Sequence, residues 1–501
     1  MEILTQLSHC NCLLLTPLMI PVFGICGILL FRKWPNLREV VTLSTASLLC
    51  VNIVMLYLGF RDGMEYRIQL FNILPGIPFA LYLEPLGMIF SLIASFLWLI
   101  TSLYAIGYMR GNKEHRQTQF YCFFALSISA TMLIATAANL FTLFIGYEML
   151  TLSTYPLVTH HGTPEAKRGG RTYLGILLTT SIGLFLVAIL WTWNLAGTLD
   201  FRYGGIMAGQ VGSGVMAILF FLYMYGIGKA ALMPIHRWLP AAMVAPTPVS
   251  ALLHAVAVVK AGVFTVVKVI TYTFGIEYLA QLRDSGLLPC GWLVYAAGIT
   301  VVLASYIALK QDNLKRRLAY STISQLSYVI MAVAMFNKAG LIAAAFHIAA
   351  HAFGKITLFF AAGSIYTASK KKKVSELAGI GKRMPWTMGA FTVGAFSMIA
   401  VPPTAGFITK WYLFNGAFDN GDMFVVLVLI LSTLLNVMYF FPIIVDAFFK
   451  KEVPVKGAIL HHGEAPLPIV MAITVTAAST IAIFFFPDLF LNLARLLAVR
   501  M

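Results

Sequence analysis

The sequence predicts an all-α membrane protein that crosses the bilayer about 14 times. Of its 501 residues, 60% are hydrophobic and only 11% are charged, whereas soluble proteins average about 25% charged and 45–50% apolar residues. Apolar stretches of membrane-spanning length recur along the chain, and basic residues collect in alternate loops between them. These three observations exclude a cytosolic enzyme, a secreted disulfide scaffold and a disordered segment.

The formal net charge of +16 is large, and in a soluble protein it would suggest a nucleic-acid partner. Basic residues gather in the cytoplasmic loops of membrane proteins, so we expect a lipid bilayer and no nucleic acid. Among the six cysteines only Cys10 and Cys12 are close together, and no second cysteine pair or histidine cluster accompanies them. We therefore expect no disulfide, no metal site and no cofactor.

The predicted spans follow from the length of helix that a bilayer requires. About 20 apolar residues cross a hydrocarbon core that is about 30 Å thick. The predicted limits are 10–30, 38–60, 80–107, 119–136, 138–160, 172–197, 211–237, 243–273, 288–308, 316–336, 340–367, 386–418, 423–448 and 467–487. No basic segment precedes the first span, which we therefore interpret as part of the mature protein. Residues 1–501 are expected to form a single membrane domain.

The distribution of lysine and arginine predicts the orientation of the chain. Loops after odd-numbered spans contain 23 of these residues, and loops after even-numbered spans together with the C-terminus contain 7. The positive-inside rule then places both termini on the outer face. We expect a multi-pass protein of the plasma (inner) membrane of a prokaryote.

Ionisable residues inside the predicted spans are the informative part of the sequence. They are Lys229, Lys260, Lys268, Lys355, Lys410, Glu148, His254, His347 and His351. A charge at the centre of a bilayer costs about 2.5–3.5 kcal/mol. One such residue near a span end can extend its charge to the interface, and this explanation stays open for Lys268. The whole set instead indicates a proton or ion pathway.

Spacing strengthens this prediction in one span. His347, His351 and Lys355 follow one another at intervals of four residues, which places them on one face of a helix. Lysine and histidine both gain and lose protons when their surroundings change. The alternative is that the three side chains only form hydrogen bonds between helices.

Two predicted spans are interrupted beside a lysine. Pro234 follows Lys229, and Pro402, Pro403 and Gly406 precede Lys410. Proline inside a helix removes a backbone hydrogen bond, which membranes tolerate where protein or water meets the freed groups. Because the interrupted spans are five spans apart, they predict two inverted five-helix repeats. The predicted units are 1–110 (spans 1 to 3), 119–273 (repeat one), 288–448 (repeat two) and 467–501 (span 14 and the C-terminus).

Four segments resemble a known family. They are GYEMLTLSTYPLV, KAALMPIHRWLPAAMVAPTPVSALLHAVAVVKAGVF, FHIAAHAFGKITLFFAAGSI and VPPTAGFITKWYLF. They are similar to the antiporter-like subunits of respiratory complex I, of Mrp-type cation/proton antiporters and of membrane-bound hydrogenases, and the likeness covers roughly residues 80–450. The resemblance implies a 14-helix core with two inverted repeats and broken helices 7 and 12.

The resemblance also implies roles for individual residues. Glu148 and Lys229 match a coupled acid–lysine pair, and Lys410 matches the terminal lysine of the pathway. The remaining matches are His254, with Lys260 at a variable neighbouring position, and the central relay of His347, His351 and Lys355. Lys268 matches no family position, and the surroundings of Lys260 are closer to the pattern of the large subunits.

The function expected from the resemblance is proton translocation by one subunit of a multisubunit complex. The preferred form is the D-type subunit of an Mrp-type Na⁺/H⁺ antiporter, with paralogous antiporter-like subunits as partners. Alternatives are a proton-pumping subunit of a complex I-like NADH–quinone oxidoreductase or of a hydrogenase, a subunit for energy-coupled uptake of inorganic carbon, a stand-alone secondary transporter and a membrane scaffold. The transport of Na⁺ beside H⁺, and membership of a redox enzyme, stay open. We expect no covalent chemistry in this chain.

Overall fold

The structure is a computed structural model that describes residues 13–284, 291–452, 459 and 463–500, apart from the side chain at position 254. Cys10, Cys12 and Cys290 lie outside the described residues. Helices of nine or more residues are numbered here in chain order. They are α1 Thr16–Leu30, α2 Pro35–Arg61, α3 Pro85–Gly111, α4 Gln117–Thr136, α5 Leu140–Val158, α6 Pro164–Ala196, α7 Ser213–Gly226, α8 Val258–Phe274, α9 Ile276–Asp284, α10 Trp292–Leu309, α11 Leu314–Val333, α12 Lys338–Ser369, α13 Pro385–Ile399, α14 Ala405–Asp419, α15 Met423–Phe449, α16 Leu467–Phe485 and α17 Asp488–Val499.

Many of these helices have the length and composition of membrane spans. Among the described residues, eight helices are long and apolar enough to cross a bilayer, namely α2, α3, α4, α6, α10, α12, α15 and α16. A ninth results if α8 and α9, which are bent by 78° relative to each other, form one broken span. The chain is therefore a multi-pass, mostly helical membrane protein. The total of 14 spans and the inverted repeats stay predictions.

A β-hairpin departs from the predicted all-α class. Strands β1 (Arg67–Leu74) and β2 (Ile77–Tyr82) pair antiparallel between α2 and α3. Gly76 has a φ of +82°, and Pro75 before it favours the same tight turn. The predicted span 80–107 consequently begins as a strand, and its helix starts at Pro85.

The first helix break lies earlier than predicted. Helix α7 ends at Gly226 rather than near Pro234, and Lys229 lies in a single 3₁₀ turn, Gly228–Ala230. A side chain at Gly226 would come within 2.5 Å of the backbone nitrogen of Phe185 in α6. The helix thus ends where α7 approaches α6 closely, eight residues before Pro234.

The second break is close to the predicted one. Residues 400–404 separate α13 from α14 and include Pro402 and Pro403. Gly406, predicted to be part of the break, lies in the first turn of α14. The absence of a side chain there lets α14 pack directly against the carbonyl of Ser397 in α13.

Helix α12 occupies the centre of the bundle. Almost all of its residues are buried, and it packs against α3, α8, α11, α13, α14, α16 and α17. Its face with His347, His351 and Lys355 is therefore directed at other helices rather than at lipid.

Candidate functional site

Lys229 is held by helix α5. The side chain is fully buried, and its Nζ donates hydrogen bonds to the carbonyl of Tyr147 at 2.7 Å and to the hydroxyl of Thr151 at 2.6 Å. The same nitrogen lies 3.1 Å from the centroid of the Tyr147 ring. In the break that follows α7, Trp238 donates from its indole nitrogen to the carbonyl of Gly228. The lysine therefore lies in irregular backbone whose polar groups are partly satisfied by side chains.

Glu148 lies beside this lysine without forming an ion pair with it. Its two carboxylate oxygens are buried, and no described residue forms a hydrogen bond with them. Among the described residues, the ion pairs with a nitrogen–oxygen distance within 4.0 Å do not include Glu148 and Lys229. The ammonium group of Lys229 bonds to Tyr147 and Thr151 instead. A buried carboxylate without hydrogen bonds is costly. The structure thus has the acid and the lysine in a separated arrangement.

A glycine in α8 lets that helix approach the Lys229 segment. A side chain at Gly262 would overlap the backbone of Lys229 and Ala230. Because these are backbone atoms rather than the end of a flexible side chain, they cannot give way without moving the lysine.

Gly262→Ala is therefore expected to displace Lys229. Overpacking of this kind costs about 1–3 kcal/mol, and we expect a lower thermal unfolding temperature together with reduced transport. Gly175→Ala in α6 is a matched control, because open space surrounds that position. Thermal unfolding of the two purified variants checks the prediction, and equal unfolding temperatures would contradict it.

Lys260 and His351 meet in the centre of the bundle. Both are fully buried, and Lys260 Nζ lies 2.6 Å from Nδ1 of His351, which joins α8 to α12. A protonated lysine can donate to a neutral histidine, or a protonated histidine to a neutral lysine, but two fully protonated groups cannot share this bond. The contact is suited to holding one proton that either residue can carry.

His347 extends this contact along α12. Its ring lies 5.7 Å from the ring of His351 and 6.0 Å from that of Tyr328. Neither ring nitrogen has a hydrogen-bond partner among the described residues. The predicted face of α12 therefore has His347 and His351 in sequence, with Lys355 one turn further. His254, predicted to belong to the same pathway, has its side chain outside the described part.

Lys355 begins a chain of hydrogen bonds that reaches α15. Its Nζ donates to Ser321 in α11 at 2.8 Å, and the hydroxyl of Tyr439 lies 3.0 Å from the same oxygen. Tyr439 is also bonded to Asn436, whose amide nitrogen donates to the carbonyl of Met398 at 3.1 Å. Side chains of two helices, α11 and α15, thus connect Lys355 to the end of α13.

Lys410 is bonded close to the end of this chain. Its Nζ donates to the carbonyl of Ile399 at 3.0 Å and to the hydroxyl of Thr433 at 2.7 Å. Ile399 is the last residue of α13, where the carbonyl end of a helix attracts a cation. The carbonyls of Met398 and Ile399 belong to neighbouring residues, so the polar groups around Lys355 and Lys410 end at the same turn of α13.

Lys268 has a partner that the sequence did not suggest. It is 1% exposed, and its Nζ lies 2.8 Å from Oε1 of Glu84, which is equally buried. The charge of Lys268 is therefore enclosed by protein and paired with a carboxylate rather than exposed at the surface of the chain.

Sequence reasoning missed the polar residues that accompany the lysines. They are Glu84, Tyr147, Thr151, Ser321, Tyr439, Asn436 and Thr433. Asn436 was detectable as an amide within the apolar helix α15. The hydroxyl groups carry no comparable signal, because serine and threonine also satisfy their own helix backbone.

A polar cavity of about 250 Å³ opens near the C-terminal end of α3. Tyr108, Glu114, His161 and Lys315 line it together with Thr247, which begins the helical turn before position 254. Burial lowers the pKa of His161, which lies beyond the end of α5, and the nearby Glu114 carboxylate partly opposes this shift. The cavity lies on the face that the distribution of lysine and arginine predicts to be the inner one.

Comparison with known proteins identifies the family. The model described as NADH:quinone oxidoreductase/Mrp antiporter, TM, matches residues 137–436, which include every predicted pathway residue. The chain belongs to this family. This family member is accordingly an antiporter-like membrane subunit, as the four quoted motifs predicted.

Sequence relatives of this family member come from respiratory and hydrogenase complexes. It is 31% identical over 437 residues to the NADH-quinone oxidoreductase subunit N of Desulforudis audaxviator, covering 87% of this chain and 85% of that one. It is also 31% identical to the hydrogenase-4 component B of Escherichia coli, covering 68% of this chain but only 51% of that longer protein.

Solved structures share the fold of this family member. A chain of the Mrp complex from Dietzia sp. DQ12-45-1b matches with a TM-score of 0.86 at 19% identity, covering 98% of this chain and 97% of that one. A chain of the membrane-bound sulfane sulfur reductase, an archaeal respiratory membrane complex, matches with a TM-score of 0.82 at 21% identity, covering 97% of each chain. At these identities the likeness concerns the fold alone.

Proposed function

We propose that this chain translocates protons across the membrane as one subunit of a larger complex. The observation that carries the proposal is the 2.6 Å contact between Lys260 and His351 in the centre of the bundle. Buried ionisable residues are costly in a membrane protein and mark proton relays or ion pathways. Proton exchange between neighbouring groups explains why the chain retains them.

The proposed path has an inlet, a gate and an outlet. Protons enter from the cavity beside Glu114 and reach Lys229, and the separation between Lys229 and Glu148 sets the affinity of the lysine for its proton. Transfer continues through the region of His254 and Lys260 and along the α12 face that carries His347, His351 and Lys355, and it ends near Lys410. The hydrogen bonds through Ser321, Tyr439 and Asn436 support the last step. The two inverted repeats, 119–273 and 288–448, provide the frame for this path.

The specific form that we propose is Mrp-type Na⁺/H⁺ antiport in the inner membrane of a prokaryote, with both termini outside. The second candidate is redox-driven proton pumping, which the 31% identity to a NADH-quinone oxidoreductase subunit favours. The same series of proton-carrying residues could not distinguish antiport from redox-driven pumping, because only the partner subunits supply the energy. Other membrane subunits, including paralogues of this chain, are the proposed partners in both cases.

Transport by the purified complex tests the proposal. The complex, extracted in mild detergent and reconstituted into vesicles, should acidify or alkalinise the vesicle interior when a Na⁺ gradient or the electron donor of the complex is supplied. Antiport predicts proton movement on addition of Na⁺ alone, whereas redox pumping predicts movement only during electron transfer. A complex that moves no protons under either condition would refute the proposal.

Identification of the co-purifying subunits by mass spectrometry separates the two candidates independently. Iron–sulfur, flavin or nickel subunits would indicate the redox pump. Small hydrophobic subunits and a larger paralogue would indicate the antiporter. A chain that purifies alone and still transports would instead be a stand-alone transporter, which would contradict the proposed place in a complex.

A further inference from the structure

The ion pair between Glu84 and Lys268 lies at the opposite end of α3 from the polar cavity. Glu84 immediately precedes α3, and Glu114 in the cavity follows its other end. The 27 residues of this helix span about 40 Å, so the pair belongs to the predicted outer side of the bundle. Neither the family motifs nor the path proposed above includes it.

The groups around Lys268 favour the protonated form of this lysine. Besides Glu84, the Nζ of Lys268 bonds to the carbonyl of Ala137 at 2.7 Å and lies 4.3 Å from the centroid of the Phe201 ring. Ala137 follows the last residue of α4, so its carbonyl belongs to the negative end of that helix. Glu84 makes no hydrogen bond to the first turn of α3, which leaves its carboxylate directed at Lys268.

Helix α8 connects this pair to the central contact. Lys260, Phe264 and Lys268 follow at intervals of four residues and therefore share one helix face. The two lysines are about 12 Å apart along the axis. Phe264 lies between them and packs on Phe90 of α3, with ring centroids 5.0 Å apart. In this structure an aromatic contact thus separates Lys268 from the Lys260–His351 contact.

Polar groups continue from Lys268 to the surface. Tyr272 lies one turn further along α8, and its ring centroid is 5.2 Å from that of Tyr203. The hydroxyl of Tyr203 accepts a hydrogen bond from the exposed Arg500 at 3.2 Å. Tyr82 of β2 lies two residues before Glu84 in the chain. The titratable groups around the pair therefore lead outward from the bundle.

We propose that Glu84 and Lys268 form a proton-exchange site that connects the Lys260–His351 contact with the predicted outer face. The inference rests on the proposed proton translocation and adds a second outlet to it. Lys268 transfers one proton to Glu84, which leaves a neutral amine beside a neutral carboxyl group. Glu84 then releases that proton outward, and Lys268 receives the next one from Lys260 when the Phe90–Phe264 contact opens. One proton leaves in each cycle, and both residues return to their charged forms.

The partner of a buried carboxylate determines whether the pair can exchange a proton. In the structure, the ammonium group of Lys268 is the partner of this carboxylate of Glu84. Another buried carboxylate, that of Glu39 in α2, is paired with Arg110 and lies 3.7 Å from Arg38. Arginine does not release its proton in proteins, so Glu39 is bound structurally, whereas a lysine partner allows exchange. Glu39 is therefore the matched control for Glu84.

Proton transport by the reconstituted complete complex tests the site. Glu84→Gln retains the size of the side chain but cannot carry a proton, and we expect the transport rate to fall about ten-fold. Glu39→Gln should leave the rate within about two-fold of the unmodified complex, since Glu39 carries no proton in the proposal. Glu84→Asp should restore part of the rate, because it restores a titratable group.

The double variant Glu84→Gln, Lys268→Met removes both charges at similar volume, so no unpaired buried charge is left to unfold the protein. Transport by this variant at the unmodified rate would overturn the proposed site and make the pair purely structural. Strong loss of transport with an unchanged unfolding temperature would support it. If the unmodified complex moved no protons, the proposed function itself would fail, and the site with it.

Discussion

Lys229→Ala is expected to reduce proton transport by the reconstituted complex about 100-fold, to the level of empty vesicles. The Lys229 side chain is the ionisable group between α5 and the break after α7, where it bonds to Tyr147 and Thr151. Without it, protons from the cavity side have no carrier at the first break. The subunit composition of the complex should not change, because the residue is buried within this chain. Dye-based measurement of vesicle pH checks the rate, and mass spectrometry checks the assembly.

Two further variants show whether Lys229 acts through its proton or only through its charge. Lys229→Arg retains a positive charge but cannot release a proton, so transport should remain lost. Glu148→Gln should reduce transport as well, because it removes the acid whose approach alters the lysine. Lys33→Ala, at an exposed loop position, should transport normally. Full transport by Lys229→Arg would show that the residue acts only as a fixed charge and would refute the gate.

The fold was largely predictable because membrane insertion imposes simple rules on composition. Apolar length and the alternation of lysine and arginine identify spans without any knowledge of partners. The hairpin before α3 was not predicted because residues 80–82 are apolar like a membrane span, whereas in the structure they are the last residues of strand β2. The end of α7 at Gly226 was also not predicted. It coincides with a close approach to Phe185 in α6, and the sequence of α7 alone does not reveal a contact with another helix.

The site was predictable where a single residue type is informative and unpredictable where partners are distant in sequence. A lysine in an apolar span is conspicuous in isolation, and so the sequence alone was enough to single out the five lysines. Their partners were not, because Glu84 is 184 residues away from Lys268. Similarly, the hydrogen bonds that link Lys355 to Ser321, Tyr439 and Asn436 form only when α11, α12 and α15 pack together. Spacing along one helix cannot reveal a network that several helices share.

Lys355→Met is the second change with a large expected effect, and it separates transport from stability. Lys355 is fully buried, and Ser321 is the hydrogen-bond acceptor of its ammonium group. Methionine has a similar shape but cannot carry a proton, so we expect transport to fall about 100-fold. The exchange also removes the cost of burying a charge, which replacement by apolar groups of similar volume often recovers.

Thermal unfolding of the Lys355→Met complex should therefore occur at the same temperature as in the unmodified complex, or at a higher one. A lysine retained for hydrogen bonding alone would give the opposite pattern, with lower stability and normal transport. Tyr439→Phe extends the test, because it removes one hydroxyl between Lys355 and Asn436 and leaves every charge in place. If protons pass between Lys355 and Lys410 by way of these groups, this variant should transport at a rate between those of Lys355→Met and the unmodified complex. An unchanged rate would place the connection between the two lysines elsewhere, and the proposed outlet at Lys410 would then need another route.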